Sequence, residues 1–209
     1  VKFRGVGLNE IDKLHKNYNI HEDDLVFGIV GRIVRWKGHE EFLKAARLVL
    51  QALPGVKILI VGDVSDGDVD YSNSIIDSIK DFSFKNNLIF TGYVPDVSAF
   101  YKIMDVCVHC SIEPEPFGLV LTEAMSYGVP VIASDLGAPK EIITDGKNGF
   151  IVKPESTEKM AELILKLLSD EDLRNRIGRN GKLHVESNYQ LEEYGRAIEK
   201  VYLNVVGEK

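Results

Sequence analysis

Two acidic side chains, Glu115 and Glu123, flank a segment suited to binding a phosphate. Pro116 and Phe117 lead into an apolar helical pattern, and Gly118 has no side chain to keep a ligand away from the backbone. The first amide groups of a helix have no partner within it, and they attract anions. The segment therefore predicts a phosphate site at the start of a helix, between the two glutamates.

Glu123 lies five residues into that helix, or roughly 7 Å along the axis at about 1.5 Å per residue. This is about the reach from the phosphate of a nucleotide to its ribose. Dinucleotide-binding folds use a carboxylate in the same way, to accept hydrogen bonds from two adjacent hydroxyls. The neighbours Leu121, Ala124 and Met125 are apolar. We therefore expect a partly buried ribose ligand rather than an exposed helical glutamate.

Glu115 precedes the helix and stands between Pro114 and Pro116, which restrict its backbone. A rigidly held carboxylate repels a neighbouring phosphate, so its position requires a compensating positive or hydroxylated group. A sugar on that phosphate would supply hydroxyls, and a developing oxocarbenium ion would supply positive charge.

A loop with three cations, residues 31–38, follows the first apolar run and opens directly onto a helix. Lysine at the N-terminus of a helix opposes the macrodipole unless an anion is bound there. Lys37 is therefore either a solvated side chain or, together with Arg32, a phosphate ligand. His39 comes directly after the loop, and we expect it to pack rather than to reach a ligand.

Six apolar runs predict the strands that carry these loops, at residues 25–30, 56–61, 88–90, 106–109, 129–133 and 150–152. Helical patterns are found at residues 40–53, 75–82, 97–104, 119–127, 156–168, 171–186 and 191–206. The first twenty residues show no strong pattern of either kind. Alternating strands and helices predict an α/β fold, a Rossmann-like doubly wound parallel sheet with its ligand crevice beyond the carboxyl ends of the strands.

Composition limits the classes of partner. The chain has a net charge of −7 and a pI near 5.3, which argues against general binding to nucleic acid or anionic lipid. No apolar run approaches the roughly 20 residues of a membrane span, and no signal segment opens the chain. We expect a cytoplasmic protein, and the start at Val1 indicates a piece of a longer one.

Two other features could be mistaken for metal or redox sites. A calcium loop beginning at Asp66 would need Gly where Tyr71 stands and Glu where Asp77 stands, so a solvated loop before a helix is favoured. Cys107 and Cys110 would point to opposite faces of a strand. We expect one buried and one half-buried free thiol, and no bound metal.

Six segments, taken in order, closely resemble a large family of retaining glycosyltransferases, the group 1 glycosyl transferases or family four. This family includes bacterial mannosyl-, glucosyl- and sucrose-synthesising enzymes. The segments are Gly-Arg-x(4)-Lys-Gly at 31–38, Val-Gly-Asp at 61–63, Phe-Thr-Gly-Tyr-Val at 90–94, Glu-Pro-Phe-Gly-x(4)-Glu-Ala-Met at 115–125, Gly-Val-Pro-Val-Ile-Ala at 128–133, and 137–141 with Gly-Phe at 149–150.

The resemblance implies one half of a GT-B architecture, in which two Rossmann-like domains face a cleft. Residues 25–190 would be the C-terminal, nucleotide-sugar-binding domain. Residues 1–24 would be a linker or interdomain remnant, and residues 191–209 a helix that packs toward the N-terminal domain. That other domain would bind the acceptor and usually lends a catalytic histidine.

The resemblance also implies roles for single residues in binding a UDP-, GDP- or ADP-sugar. The diphosphate would be held by Arg32, Lys37 and the backbone amides of Phe117, Gly118 and Leu119. Glu123 would bind the ribose, and Glu115 would be the catalytic residue beside the donor sugar. The base would meet Tyr93 and Val94. Neither a metal nor a cofactor would be needed, because two cations and a helix N-terminus take the place of a metal. Nucleic acid would not be a partner, and a membrane would be one only through the N-terminal domain.

The chain departs from the family pattern in two places. Residues 4–7, Arg-Gly-Val-Gly, stand where many members carry Asn-Gly-Val-Asp, and His109-Cys110 replaces a commoner proline-containing step. Two other functions stay open. One is a stand-alone nucleotide or nucleotide-sugar binding module, and the other is a sugar-nucleotide epimerase or phosphorylase with the same two-domain plan. The paired glutamates favour the transferase, and the pyridoxal-binding lysine motif of a phosphorylase is not found.

Overall fold

One parallel sheet forms the centre of the protein. The computed structural model describes residues 4–64, 69–80, 86–189 and 191–207. Within these ranges the strands are β1 (Val26–Val30), β2 (Lys57–Val61), β3 (Leu88–Phe90), β4 (Val106–His109), β5 (Val131–Ser134) and β6 (Phe150–Val152). They pair in parallel in the order β3-β2-β1-β4-β5-β6. This order, with its switch between β1 and β4, is that of doubly wound dinucleotide-binding folds and confirms the predicted class.

Helices cover both faces of the sheet. They are α1 (Leu8–Tyr18), α2 (His39–Ala52), α3 (Val69–Lys80), α4 (Ser98–Ile103), α5 (Leu119–Ser126), α6 (Pro139–Ile142), α7 (Thr157–Ser169) and α8 (Glu171–Asn188). A further helix, α9 (Leu191–Gly207), exposes every one of its described side chains. A single 3-10 turn, Arg35–Lys37, precedes α2. On one face α2 packs against α7, and on the other α5 packs against α8. Across the part of the chain described, no helix is both long and apolar enough to cross a membrane.

The strands are buried on both faces, and this is why they read as apolar runs rather than as alternating patterns. In β1, Phe27 and Ile29 face the α2 and α7 side, whereas Val26 and Val30 face the α5 side. All four are at most 8% exposed. The predicted and observed strand ends agree to within two residues.

The first twenty residues, which show no strong strand or helix pattern in the sequence, contain the helix α1. Glu10 accepts a hydrogen bond from the amide of Gly7 (3.0 Å) and closes the start of the helix. Tyr18 packs on Phe100 of α4, with ring centroids 5.7 Å apart. No residue of α1 is fully buried. Its apolar residues do recur at helical spacing, and contacts with α4 stabilise this short helix further.

Three further expectations need correction. Helix α3 begins at Val69 rather than at residue 75, and the predicted end at residues 81–82 lies outside the described residues. The short helix α6 was not predicted. One of the two thiols was expected to be half-buried, but Cys107 and Cys110 are both buried. The two thiols do lie in the cores of opposite faces, and burial raises the pKa of Cys107 to about 12.

His39, the first residue of α2, is fully buried, as expected of a packing residue. Neither ring nitrogen has a hydrogen-bond partner among the described residues. Burial, and to a lesser extent the charge of Lys37, lowers the pKa of His39 from 6.5 to about 4. The folded protein therefore holds this imidazole neutral at a pH where the unfolded chain protonates it.

The pKa of His39 is lower in the folded state than in the unfolded chain. Its contribution to the free energy of unfolding is therefore fully present above pH 6.5 and is lost as the pH falls toward 4. We expect His39→Leu to lose less stability than the native chain between about pH 7.5 and about pH 5, by about 2 kcal/mol. Urea unfolding at each pH measures this difference. Parallel pH profiles for the two proteins would show that the imidazole is not held neutral.

Candidate functional site

The loops that follow β1 and β4 meet at the carboxyl edge of the sheet. The amide of Ile112 donates to the carbonyl of Trp36 (2.8 Å), and Cys110 Sγ donates to the carbonyl of Gly38 (2.9 Å). Gly38 has a φ of +69°, and a Cβ there would overlap the carbonyl of Cys110. Only glycine permits this approach, which brings the two predicted phosphate loops together.

Glu115 lies at this junction and accepts several hydrogen bonds. Its Oε2 accepts from Lys37 Nζ at 2.6 Å, from His109 Nε2 at 3.0 Å and, at 3.4 Å, from Ser111 Oγ. Its Oε1 accepts from the amide of Gly118 at 3.3 Å. The hydrogen bond from His109, followed by the hydrogen bond and charge of Lys37, outweighs burial and lowers the pKa of Glu115 to about 2. The carboxylate is therefore a fixed negative charge at neutral pH.

His109 was not predicted as a site residue. It is the last residue of β4 and is 3% exposed, on the same face of the strand as Cys107. An ionised carboxylate can only accept, so His109 Nε2 carries the proton that it shares with Glu115. The sequence did offer one indication of this role, which is the position of His109. A polar side chain at the carboxyl end of a parallel strand opens onto the ligand crevice.

The backbone of Glu115 is held from the other side by the loop that follows β5. Its amide donates to the carbonyl of Leu136 (3.1 Å), and its carbonyl accepts from the amide of Ala138 (3.0 Å). Gly137, between them, has a φ of +78°, and a Cβ there would overlap the carbonyl oxygen of Glu115. The close pairing with Gly137 therefore fixes the backbone that carries the carboxylate.

Glu123 is half-buried, as expected, in the second turn of α5. Its Oε2 accepts a hydrogen bond from the hydroxyl of Tyr101 at 3.0 Å. Burial raises the pKa of Glu123, and this hydrogen bond opposes the rise. Glu115 thus precedes α5 and Glu123 lies in its second turn, and the two carboxylates have separate partners.

The remaining predicted phosphate ligands border this junction without joining it. Arg32 is exposed and takes no part in the hydrogen bonds and ion pairs found among the described residues. Phe117 and Leu119 are 45% and 56% exposed, and neither backbone amide donates to a described residue. Gly118, by contrast, already donates its amide to Glu115. The first turn of α5 therefore offers amides to an anion from outside.

The predicted base loop lies after β3. Tyr93 is 75% exposed, whereas Val94 packs against the core on the α5 face. Arg4, which stands at the divergent N-terminal segment, pairs with Asp96 (2.7 Å) and with Glu10 (2.6 Å). This segment is thereby tied to the base loop, but no described contact links either of them to Glu115.

Residues 10–184 match the protein family described as glycosyl transferases group 1. The chain belongs to this family. It is 34% identical over 192 residues to the capsular polysaccharide biosynthesis glycosyltransferase CapM of Staphylococcus aureus, covering 91% of this chain and 48% of that protein. It is 30% identical over 191 residues to the trehalose synthase of Thermococcus litoralis, covering 89% of this chain and 46% of that protein. The chain thus spans about half the length of the curated relatives it matches.

Solved structures of other proteins share the fold. Anabaena Alr3699/HepE, crystallised with UDP and also with UDP-glucose, superposes with a TM-score of 0.87 at 27% identity over 95% of this chain and 54% of its own. The C-terminal domain of a group 1 glycosyl transferase, LpcC, from Francisella tularensis has a TM-score of 0.78 at 30% identity. That match covers 90% of this chain and 96% of that structure. The C-terminal domain of that relative was therefore crystallised on its own.

Among the described residues, the other polar regions do not form a comparable site. Asp66 and Asp68 of the acidic loop lie outside the described residues. Elsewhere in the described ranges, no group of three or more His, Cys, Asp or Glu side chains could hold a metal ion. A cavity of about 620 Å³ at the opposite end of the sheet, lined in part by Asp105 and Arg174, includes none of the predicted site residues.

Gly137 and Gly146 form a matched pair, because both have a left-handed φ (+78° and +71°) but only Gly137 faces the backbone of Glu115. We expect Gly146→Ala to lower the free energy of unfolding by about 1 kcal/mol through backbone strain alone. Gly137→Ala should cost about 2 to 4 kcal/mol, because the added carbon also displaces Glu115. Urea unfolding of both variants tests this expectation. Equal losses would mean that the pairing with Gly137 does not constrain Glu115.

Proposed function

We propose that this chain binds the nucleoside-diphosphate sugar donor of a retaining hexosyltransferase whose acceptor is a saccharide or a lipid. The observation that carries the proposal is the ionised Glu115, held between Lys37 and His109 at the entry to α5. Family membership supports the reaction class. The complexes of Anabaena HepE with UDP and UDP-glucose support the ligand class.

The diphosphate would lie against Lys37, Arg32 and the first turn of α5. An ammonium group has three N–H donors, and Lys37 gives one of them to Glu115, so two remain for phosphate oxygens. The free amides of Phe117 and Leu119 would add hydrogen bonds where the helix dipole also favours negative charge. These groups would stabilise the charge that builds up on the departing diphosphate, so we propose that donor binding needs no metal.

Glu115 would act on the sugar rather than on the phosphate. Its pKa of about 2 keeps it ionised, so it does not serve as a proton donor at neutral pH. A fixed carboxylate beside the anomeric carbon stabilises the positive charge that develops as the bond to the diphosphate breaks. The acceptor hydroxyl would then bond to the anomeric carbon on the face that the diphosphate leaves, and its proton would pass to the departing diphosphate. Attack on that face retains the anomeric configuration.

A second domain would complete the enzyme. The chain spans about half the length of the relatives it matches. Helix α9 exposes Tyr194, Ile198, Val201, Tyr202 and Val205, which follow one another at helical spacing along one side. This apolar stripe is suited to pack on an acceptor domain that precedes the donor domain. Alone, the chain would bind the donor without transferring the sugar.

We expect the chain to bind at least one of UDP, GDP and ADP and to do so equally well in EDTA. A ligand at a hundred times its Kd should raise the free energy of unfolding by about 2.7 kcal/mol, which a thermal-shift panel detects. Calorimetry with and without EDTA then gives the Kd values. Binding that disappears on chelation would disprove the metal-free site, and no binding by any of the three would disprove the proposed function.

Substitution of Lys37 tests the phosphate role, and substitution of Lys44 is the control for general charge effects. Lys37→Ala should weaken the diphosphate about tenfold to a hundredfold while leaving the free nucleoside nearly unchanged, because a charge-assisted hydrogen bond to phosphate is lost. Lys44, on the exposed side of α2, pairs with Glu41 at 3.6 Å. Lys44→Ala should change neither affinity.

Substitution of Glu115 and substitution of Glu123 should impair different steps. Glu123→Gln should weaken free UDP or GDP, because it removes a charged acceptor for the ribose. Glu115→Gln should leave that binding intact or slightly stronger, because it removes a negative charge beside the diphosphate. In the complete enzyme it should lower kcat by about a hundredfold or more, since the carboxylate matters most when positive charge develops.

Calorimetry on the chain and turnover in the full-length enzyme measure these effects, and circular dichroism checks that both variants fold. The opposite pattern, with nucleotide binding lost in Glu115→Gln and kept in Glu123→Gln, would mean that the two roles are assigned the wrong way round.

A further inference from the structure

Tyr101, in α4, makes a hydrogen bond that the proposed reaction does not require. The residue is 1% exposed, and its hydroxyl donates to Oε2 of Glu123 at 3.0 Å. The two residues lie on different helices, and Tyr101 is 22 positions before Glu123. The proposed ribose ligand is therefore held by a buried side chain that cannot itself touch solvent or a ligand in the crevice.

The phenol ring of Tyr101 has little freedom to move. It stacks on Tyr127, with ring centroids 5.8 Å apart and an interplanar angle of 18°. Tyr127 in turn donates its hydroxyl to the carbonyl of Arg4 at 2.9 Å. Burial raises the pKa of Tyr101 well above its usual range, so the hydroxyl stays protonated and remains a donor.

The bond from Tyr101 leaves the carboxylate of Glu123 with one oxygen for a ligand. None of the hydrogen bonds among the described residues uses Oε1 of Glu123, and the side chain is half-buried rather than enclosed. A glutamate without a fixed partner samples several rotamers, and binding has to remove that freedom. A buried donor on one oxygen removes it in advance.

We propose that Tyr101 is a positioning residue that orients Glu123 toward the ribose hydroxyls of the nucleotide and thereby sets the preference for ribose over sugars that lack them. The inference rests on the proposed function, and within it on the ribose role of Glu123. It assigns to Tyr101 no contact with the ligand. Its effect must therefore appear only with ligands that engage Glu123.

The test compares UDP with 2′,3′-dideoxy-UDP, or the GDP or ADP pair if that base binds more tightly. Calorimetry is run on the native chain, Tyr101→Phe, Glu123→Gln and the double variant. Tyr101→Phe removes only a hydroxyl and should cut the preference for the ribonucleotide about fivefold, equivalent to roughly 1 kcal/mol. The dideoxy ligand should bind as before. In the double variant, the loss should not exceed that of Glu123→Gln alone, because Tyr101 acts through Glu123.

Tyr18→Phe is the matched control. Tyr18 packs on Phe100, the residue that precedes Tyr101 on α4, and its ring centroid lies 5.7 Å from that of Phe100. This variant should retain the full preference for ribose. Melting curves establish that all variants fold.

Several outcomes would overturn the inference, each for a different reason. A native chain that binds no nucleoside diphosphate would overturn the proposed function with it. A native chain without a preference for ribose would overturn the role of Glu123. A native preference that Tyr101→Phe retains would overturn the inference alone. Equal weakening of both ligands in Tyr101→Phe would do so as well, because it would mean that Tyr101 only supports the fold.

Discussion

The candidate site depends on one buried carboxylate and the donors that surround it. Glu115 would not stay ionised in a protected position without compensation, and Lys37 and His109 supply it on the same oxygen. These partners come from the loop after β1 and from the end of β4. They can meet only because β1 and β4 are neighbours in the sheet. The strand order, the glycine at the crossing of the two loops and the electrostatics of the site thus form one arrangement.

Much of this arrangement could be predicted from the sequence, because parallel strands covered on both faces leave continuous apolar runs. The loop residues after those runs, including Lys37 and Glu115, could be found for the same reason. Contacts between residues that are distant in the sequence could not be predicted in this way. The position of His109 at the end of a strand places it near the crevice, but its pairing with Glu115 does not follow from that position. Helix α1 was missed although its apolar residues recur at helical spacing, because the helix is short and polar residues outnumber the apolar ones.

The sequence also could not show that Lys37 and Glu115 are partners, because 78 positions separate them. Read separately, the first is a phosphate ligand and the second a repulsive charge next to a phosphate. Together they partly neutralise each other, so the attraction of a diphosphate would depend also on Arg32 and the first turn of α5. A residue-by-residue interpretation therefore overstates both the attraction by one side chain and the repulsion by the other.

Helix α5 links the two ends of the site. Glu115 accepts from the amide of Gly118, which caps this helix, and Glu123 lies in its second turn. In the proposed binding mode, the residues that contact the sugar and the ribose are thus held at a fixed separation by one helix. An α-helix advances about 1.5 Å per residue and does not stretch. The helix would therefore select for the length of the phosphate bridge. A donor with one phosphate fewer or one more could not place its sugar at Glu115 and its ribose at Glu123 at the same time.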